Sequence, residues 1–436
     1  MLLPMLLVPL LVAAGAAQDT DYCYADMTDP YLLFGSATAY EKVNNMTANP
    51  VVVDQCQPVQ FWLLARHGTR YADADQIPLM QNLYDLRDKI VSHHEVDQRG
   101  RLCAQDLENL KRWTLQVVTS VKSDLTSQGY ADHYNLAQRF QARFPTLLNQ
   151  TPSQDLFKVR FTTKQRTGAS AFAFTDGLFG TGMGIEFPEP LDDDLLIKPY
   201  KACKKWLDDV DENPDTADER DKFDTGALMT ALQETVSQRL GFNRILTIDE
   251  VSEMYDMCRF DKGWHISKLS PWCAAFSEEE LQLLEYREDL LGYYNHGYGN
   301  DLNMKVGCPP IKDFLDRFSD IEKGGQQPAA VLYFTHSTML QLFFTPLGIA
   351  EDQQALTHTN YETMKNRQWR TSVISPFATN FAAIFFKCTA GEPYRVQLYL
   401  NEHPLSLDGC NQGLCDWSVF KNKFGSISDT CNLDFC

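Results

Sequence analysis

The sequence of 436 residues is poor in basic residues and has no long apolar run after its N-terminus. It contains 39 lysine and arginine residues and 58 aspartate and glutamate residues, so the formal net charge is −19. A nucleic-acid-binding surface needs clustered cations that neutralise phosphates, and this balance argues against a nucleic-acid partner. A membrane-spanning helix needs about 20 consecutive apolar residues, and none follows the N-terminal segment. The composition is that of a globular protein.

Several catalytic and metal-binding motifs are also missing. The sequence has no G-x-S-x-G nucleophile elbow, no H-E-x-x-H zinc motif and no C-x-x-C pair with a matching partner. The glycine-rich stretch 177–184 is not followed by the lysine and hydroxyl residue of a P-loop. The sequence therefore predicts neither a metal ion nor another cofactor.

Residues 1–17 predict a secretory signal peptide. Apolar and small residues precede the first charged residue, Asp19, and Gly15-Ala16-Ala17 fits a cleavage site. An N-terminal membrane anchor stays open as the alternative, because no lysine or arginine precedes the apolar run. Twelve cysteines, an even number, and two glycosylation sequons at Asn45 and Asn149 fit a secreted, disulfide-bonded glycoprotein.

The order of strand-like and helical patterns predicts an α/β fold. Strand-like apolar runs occur at both ends of the chain, at 58–68, 155–167, 328–336, 380–388 and 394–401. A mostly helical segment lies between them, from about 190 to 310. We therefore predict a mostly parallel central sheet flanked by helices, with an inserted mainly helical subdomain.

Two local patterns lie inside the predicted helical insertion. The acidic, proline-containing stretch 207–224 predicts a solvated loop. Farther on, Ser277 followed by Glu280 is the pattern of a capping box and predicts the start of a long helix.

Basic residues follow three of the predicted strands. Arg66-His67-Gly68-Thr69-Arg70 comes after the first, Arg166 after the second and His336 after the third. Ligands of open α/β sheets bind at the carboxyl ends of strands, and arginine binds tetrahedral oxyanions through paired donors. The pattern predicts a phosphate site that contains a nucleophile. Gly68 would allow close backbone approach to the phosphate or a positive φ.

The R-H-G-x-R motif after an apolar strand resembles the histidine acid phosphatase family. The segments "LTSQGYADHYNLAQRFQARFP" and "VRFTTKQRTGASA" are similar to that family's following helix and second arginine segment. The segments "QWRTSVISPFATNFAAIFF" and "YRVQLYLNEHPL" resemble its multiple inositol polyphosphate phosphatase branch in particular. The resemblance extends from about residue 50 to 405.

The resemblance implies a role for each basic residue. His67 matches the nucleophile, which becomes a phosphohistidine. Arg66, Arg70 and Arg166 match the arginines that bind the transferred phosphoryl oxygens, and His336 matches a second histidine that hydrogen-bonds the phosphate. The family uses no metal. Its branch hydrolyses phytate and lower inositol polyphosphates and also acts on bisphosphoglycerate, so we expect a small phosphorylated substrate.

One position departs from the family pattern. Thr338 stands where the branch has a glutamate that protonates the leaving group, and a hydroxyl of very high pKa cannot do this near neutral pH. The proton would then come from a substrate phosphate or from a carboxylate elsewhere, such as Glu402. The departure keeps two alternatives open: a pseudophosphatase that binds phosphorylated ligands, and a broad-specificity acid phosphatase.

The resemblance also implies a domain division and disulfide pairs. We expect a histidine phosphatase domain at 18–405 and a cysteine-rich C-terminal tail at 406–436 packed on the core. By analogy with secreted relatives, three pairs and one choice are predicted: Cys56–Cys388, Cys258–Cys273, Cys410–Cys415, and Cys203 with Cys431 or Cys436.

Overall fold

The structure is a computed structural model of the whole chain. It describes residues 23–27, 32–44, 49–117, 119–183, 185–410 and 413–436. The predicted signal peptide at 1–17 and the sequon at Asn45 lie outside the described residues. The second sequon residue, Asn149, is exposed.

The described residues form one seven-stranded sheet, in the order β2-β3-β1-β4-β5-β6 with β7 paired to β5. Its strands are β1 (Cys56–Arg66), β2 (Phe157–Phe161), β3 (Ala330–Thr335), β4 (Asn380–Cys388), β5 (Tyr394–Leu400), β6 (His403–Pro404) and β7 (Leu414–Asp416). β2, β3 and β1 are parallel, whereas the other pairs are antiparallel. The α/β class is confirmed. The sheet is mixed, with its parallel strands on the side that carries the predicted site.

Helices form most of the remaining regular secondary structure. In the described residues they are α1 (Tyr40–Val43), α2 (Gln76–Glu95), α3 (Ala104–Arg112), α4 (Ser127–Arg143), α5 (Pro145–Leu148), α6 (Gln165–Phe179), α7 (Pro199–Ala202), α8 (Lys204–Trp206), α9 (Asp218–Asp224), α10 (Ala227–Arg239), α11 (Ile248–Trp264), α12 (Glu278–His296), α13 (Asp301–Val306), α14 (Pro309–Glu322), α15 (Ser337–Leu347), α16 (Thr371–Ile374) and α17 (Trp417–Thr430).

Both faces of the sheet are covered, which explains the unbroken apolar sequence of its central strands. In β1, Trp62 and Leu64 point into one core, and Phe61, Leu63 and Ala65 point into the other. Helices α14 and α15 pack on the first core, and α4 and α6 pack on the second. The alternation of side chains along a strand thus divides one hydrophobic run between two cores.

Helices α7 to α14 lie between β2 and β3 in the sequence, where the helical insertion was predicted. The stretch 207–224 is solvated over most of its length, as predicted, but the prediction of a loop was wrong, because it forms short helical turns and α9. Buried Val210 and Phe223 anchor it to the core. Arg287 of α12 binds Asp224 at 2.6 Å, so part of the acidic charge is neutralised by ion pairs. The capping box of Ser277 at the start of α12 is confirmed.

Six disulfides link the described residues: Cys23–Cys103, Cys56–Cys388, Cys203–Cys436, Cys258–Cys273, Cys308–Cys431 and Cys410–Cys415. The three predicted pairs are confirmed, and Cys203 takes the second of its two predicted partners. The structure adds the pairs of Cys23 and Cys308, for which no partner was predicted. Within the described ranges, no helix combines the length and apolar character needed to cross a membrane.

Candidate active site

The carboxyl ends of β1 and β3 bring two histidines together. Arg66, the last residue of β1, is in register with Thr335, the last residue of β3. The next residues are His67 and His336, and their ring centroids are 5.5 Å apart. The His67 backbone N–H donates to the Thr335 carbonyl at 2.9 Å, which extends the parallel ladder by one residue.

The His67 ring is held as a neutral imidazole with one free nitrogen. Its Nδ1 donates to the Gly68 carbonyl at 2.9 Å, so the proton lies on Nδ1 and the lone pair on Nε2. The side chain is only 2% exposed. Burial, and then the positive charges of Arg66 and Arg166, hold the pKa of His67 well below its usual value. The imidazole therefore stays unprotonated and nucleophilic in weak acid.

Arg66 lies at the floor of the site, almost fully buried. Its Nη1 donates to the Ser36 carbonyl and to the Ser375 carbonyl, the latter at 2.8 Å. The guanidinium carbon lies 4.7 Å from the centroid of the Phe377 ring. Burial, followed by the charges of Arg70 and Arg166, keeps the pKa of Arg66 well below its usual value.

Arg70 and Arg166 complete the basic cluster. Arg70 Nη2 pairs with Asp73 Oδ2 at 2.9 Å, and Arg166 Nη1 donates to the Ser123 carbonyl at 3.4 Å. Burial and then the charge of Arg70 lower the pKa of Arg166 to about 10. In the described part of the chain, neither Arg166 nor Arg66 forms an ion pair, and the Nε of each is buried without a hydrogen-bond partner. Such excess positive charge favours an anion.

His336 is positioned by two threonines of the β2–α6 segment. Its Nε2 lies 2.9 Å from Thr162 Oγ1, which in turn lies 2.9 Å from Thr167 Oγ1. Burial, and then the charges of Arg166 and Lys198, hold the pKa of His336 well below its usual value. These hydroxyls fix the ring orientation beside His67.

Two neighbouring side chains of α4 support the loop after β1 from below. Asp132 Oδ2 accepts from the backbone N–H and the hydroxyl of Thr69 at 3.0 and 2.8 Å, and burial raises its pKa to about 6. His133 Nε2 donates to the Arg66 carbonyl at 2.9 Å, and burial lowers its pKa to about 4. The sequence analysis missed both. One sequence feature could have identified them: they are polar residues on the otherwise apolar face of α4 that contains Leu136.

Of the two reasons predicted for a glycine at position 68, the positive φ is wrong. The φ of Gly68 is not positive. Instead, its backbone contacts Gly129 of α4, and a Cβ at position 68 would lie 2.3 Å from the Gly129 carbonyl oxygen. The Gly68 N–H donates to Ser170 Oγ at 3.0 Å. Glycine is therefore required here for close packing on helices α4 and α6.

Thr338, which replaces the expected proton donor, and Glu402, the carboxylate named as an alternative donor, lie in different surroundings. Thr338 is in the first turn of α15, two residues after His336, and is partly exposed. Glu402 is fully buried and forms an ion pair with Arg139 at 2.8 Å. Glu402 is therefore structural and is removed as a candidate donor. Asp73, beside Arg70, is a carboxylate that the sequence analysis missed.

Comparisons with known proteins identify the family of this chain. The family model of the histidine phosphatase superfamily, branch 2, matches residues 59–401. Multiple inositol polyphosphate phosphatase 1 of Drosophila melanogaster is 34% identical over 446 residues, which cover 100% of this chain and 93% of that protein. The protein of the same name from Homo sapiens is 28% identical over 443 residues, with 93% and 88% covered.

A solved structure shares the fold. The phytase from D. castellii superposes with a TM-score of 0.75 at 19% sequence identity, covering 97% of this chain and 91% of that one. The family match includes the segments that carry the two histidines and three arginines. The chain therefore belongs to the histidine phosphatase superfamily, branch 2, and groups within it with the multiple inositol polyphosphate phosphatases.

Proposed function

We propose that this protein is a phosphomonoesterase that hydrolyses inositol polyphosphates through a phosphohistidine at His67. One observation carries the proposal: a neutral, buried imidazole lies among three arginines at the carboxyl ends of parallel strands. A nucleophile for phosphorus and donors for phosphoryl oxygens are thus combined in one pocket. The relatives' names identify inositol polyphosphates as the substrate class.

In the first step, His67 Nε2 attacks the phosphorus of a bound phosphate monoester. The hydrogen bond of Nδ1 to the Gly68 carbonyl keeps the lone pair on Nε2 and stabilises the positive charge that develops on the ring. The P–O bond to the inositol breaks as the P–N bond forms. Water then hydrolyses the phosphohistidine, so one difficult displacement becomes two easier ones.

The arginines stabilise the charge on the transferred phosphoryl group. Arg66, Arg70 and Arg166 surround the group with fixed positive charge in a buried site, where each contact is stronger than in water. Because Nε2 of His336 is bonded to Thr162, its Nδ1 is the ring nitrogen free to face the phosphate. We assign Arg66, Arg70 and Arg166 to phosphate binding and His336 to a hydrogen bond with the same group.

The lysines near the pocket favour the binding of a substrate that carries several phosphates. Lys198 is close enough to His336 to lower its pKa. Burial, followed by the charges of Lys164 and Lys201, lowers the pKa of Lys198 itself. In a chain with a net charge of −19, such a basic cluster is a local exception. It would attract the phosphates that flank the one being transferred.

We also propose that the protein acts outside the cell or in the lumen of the secretory pathway. Six disulfides support an oxidising environment. The substrate is then a small phosphorylated molecule, with no nucleic-acid partner. The domain division stays a proposal: a catalytic domain at 18–405, a helical insertion at about 190–310 and a tail at 406–436.

The direct test is phosphate release from phytate by the purified mature protein at a series of pH values. We expect turnover in weak acid, and we expect His67→Ala to abolish it without changing the far-ultraviolet circular dichroism. Trapping by alkaline quench should show phosphate bound to histidine in the wild type and none in the variant. Phosphate release that survives in His67→Ala would overturn the assignment.

Thr338 favours a second candidate, a pseudophosphatase that binds phosphorylated ligands with little turnover. A threonine in place of the branch's glutamate removes one proton donor. The same experiment separates the candidates: a pseudophosphatase would bind phytate, measured by calorimetry, and release no phosphate. Rates on an aryl phosphate that exceed those on phytate would favour the broad-specificity acid phosphatase.

A further inference from the structure

We propose that Asp73 donates the proton to the leaving group and so replaces the glutamate that is missing at Thr338. This inference rests on the proposed phosphatase function. It assigns a catalytic role to a residue whose sequence position, three residues after Arg70, gave no indication of one.

The contacts of Asp73 place its carboxylate inside the arginine cluster. Oδ2 lies 2.9 Å from Arg70 Nη2, and Oδ1 accepts a hydrogen bond from Ser123 Oγ. The backbone carbonyl of Ser123 accepts from Arg166 Nη1 at 3.4 Å. Asp73 is thus fixed between two of the three arginines that we assign to the phosphate.

The exposure of these side chains indicates the direction of the leaving group. His67 is 2% exposed and lies at the floor of the pocket, whereas the Asp73 side chain is 40% exposed and the Arg70 side chain 16%. In an in-line displacement the attacking and leaving atoms are on opposite sides of phosphorus. The ester oxygen must therefore point away from His67 towards the opening, where Asp73 lies.

Two other carboxylates near the site have partners of their own. Asp132 is 2% exposed and binds Thr69 from beneath the loop. Asp256 pairs with Arg259 at 2.5 Å. Across the described ranges, Asp73 is the carboxylate that forms an ion pair with one of the three site arginines.

The proton balance of the two steps is complete. As His67 Nε2 bonds to phosphorus, the P–O bond breaks and its electron pair stays on the inositol oxygen, which takes the Asp73 carboxyl proton. In the second step, the Asp73 carboxylate takes a proton from the attacking water, the new P–O bond forms, and the P–N bond breaks. Asp73 returns to its protonated form and His67 to its neutral form.

Substrate binding changes the surroundings of Asp73. In the structure, the Arg70 guanidinium contacts the Asp73 carboxyl group. A phosphate bound to Arg70 shares that guanidinium with Asp73, so the ester oxygen and the Asp73 carboxyl group lie beside the same arginine.

The test compares two leaving groups in single-turnover kinetics of the full-length protein. Phytate has a strongly basic inositol oxygen, whereas 4-nitrophenyl phosphate has an acidic phenol that leaves without a proton. We expect Asp73→Asn to slow the first step on phytate by about 100-fold or more and that on 4-nitrophenyl phosphate by less than about tenfold. Asp73→Glu, which keeps a carboxyl, should retain far more of the phytate rate than Asp73→Asn.

Asp75→Asn is the matched control, since Asp75 is exposed, two residues away, and undergoes the same chemical change. It should leave both rates close to those of the wild type. Equal losses on both substrates in Asp73→Asn would overturn the proposal, because they would mean that Asp73 only holds Arg70. An unchanged phytate rate would also overturn it. A wild-type protein that cleaves neither substrate would instead refute the phosphatase function itself.

Discussion

Gly68 and Gly129 are in backbone contact, and neither position has room for a side chain. A Cβ on Gly68 would lie 2.3 Å from the Gly129 carbonyl oxygen, and one on Gly129 would lie 2.2 Å from the Thr69 carbonyl oxygen. The obstructing atoms belong to the backbone and cannot rotate away. This contact sets the height of the loop after β1 above α4, and so the position of the His67 ring.

We expect Gly68→Ala to reduce kcat on phytate strongly, by about 100-fold or more, because a displacement of about 1 Å at a reacting group has effects of that size. The overpacking should also lower the unfolding free energy by about 1–3 kcal/mol. Gly425→Ala is the control, since Gly425 is a helical glycine with nothing near its Cβ position. It should keep full activity and gain stability. Wild-type kinetics in Gly68→Ala would contradict the close-packing explanation.

We expect Arg166→Gln to lower the activity on phytate and to raise the stability of the fold. The loss of one contact to the transition state should cost about 3 kcal/mol, or more than 100-fold in kcat/KM on phytate. The unfolding free energy in phosphate-free buffer should rise, because a half-buried guanidinium that other arginines repel, and whose Nε has no hydrogen-bond partner, is removed. Steady-state kinetics and chemical denaturation measure the two effects.

Arg160→Gln is the matched control for Arg166→Gln. Arg160 on β2 pairs with Asp194 at 2.6 Å, and Asp194 is fully buried. Removal of Arg160 leaves an unpaired carboxylate, so this variant should lose stability and keep most of its activity. If Arg166→Gln behaves in the same way, Arg166 is structural.

His133 should make the protein less stable in acid. Its folded pKa of about 4 lies below the ordinary value of 6.5, so between these values the unfolded chain binds more protons and stability falls as the pH falls. From pH 7.5 to pH 5 this contribution is about 2 kcal/mol. Asp132, whose folded pKa is raised to about 6, contributes with the opposite sign between pH 6 and 3.8.

The His133 contribution is measured as the difference between wild type and His133→Gln, in which the common contribution of Asp132 cancels. Glutamine can still donate to the Arg66 carbonyl. The variant should therefore be less sensitive to acid. The difference in unfolding free energy between wild type and variant should become smaller or change sign from pH 7.5 to 5. A constant gap across this range would show that His133 does not titrate in the way its burial implies.

Thr338→Glu should restore the missing donor in a chain that lacks Asp73. In an Asp73→Asn background, it should raise the phytate rate by at least about tenfold and leave the rate on 4-nitrophenyl phosphate nearly unchanged. Thr338→Gln in the same background has the same shape without the proton and should have no effect. Equal stimulation by glutamate and glutamine would argue against proton donation from this position.

The disulfide Cys56–Cys388 should contribute much more stability than Cys410–Cys415. The first joins positions 332 residues apart across β1 and β4, and the second joins positions five residues apart. Replacing both cysteines of the first pair by serine should cost about 2–4 kcal/mol, since a long closed loop restricts the unfolded chain most. The same change at 410 and 415 should cost much less. Equal losses in thermal unfolding would contradict this order.

Local sequence predicted the elements and the residues at their ends. The apolar run 380–388 coincides with β4, and the basic residues after β1 and β3 meet where strand ends were expected to meet. Both conclusions depend on patterns within short stretches and on one general rule of sheet geometry.

The features that the sequence did not predict depend on contacts between distant parts of the chain. The acidic run at 207–224 has the composition of a loop, but it forms helical turns in which Val210 and Phe223 pack on the core and Asp224 pairs with Arg287 of a later helix. Thr162 orients His336 across a separation of 174 residues. Asp73 has the appearance of an ordinary surface acid paired with nearby Arg70, and only the fold brings Ser123 into contact with it.

The positive charges of Arg66 and Arg166, which form no ion pair in the described residues, have a consequence for the lifetime of the protein. The empty pocket opposes folding through mutual repulsion, and an anion that enters it relieves that repulsion. A ligand at 100 times its dissociation constant adds about 2.7 kcal/mol to the unfolding free energy. Substrate and released phosphate would therefore protect the enzyme from proteases, which attack transiently opened chains. An enzyme molecule without bound substrate or phosphate would be degraded faster than one that is turning over substrate. The supply of substrate would therefore regulate the abundance of the enzyme without any separate signal.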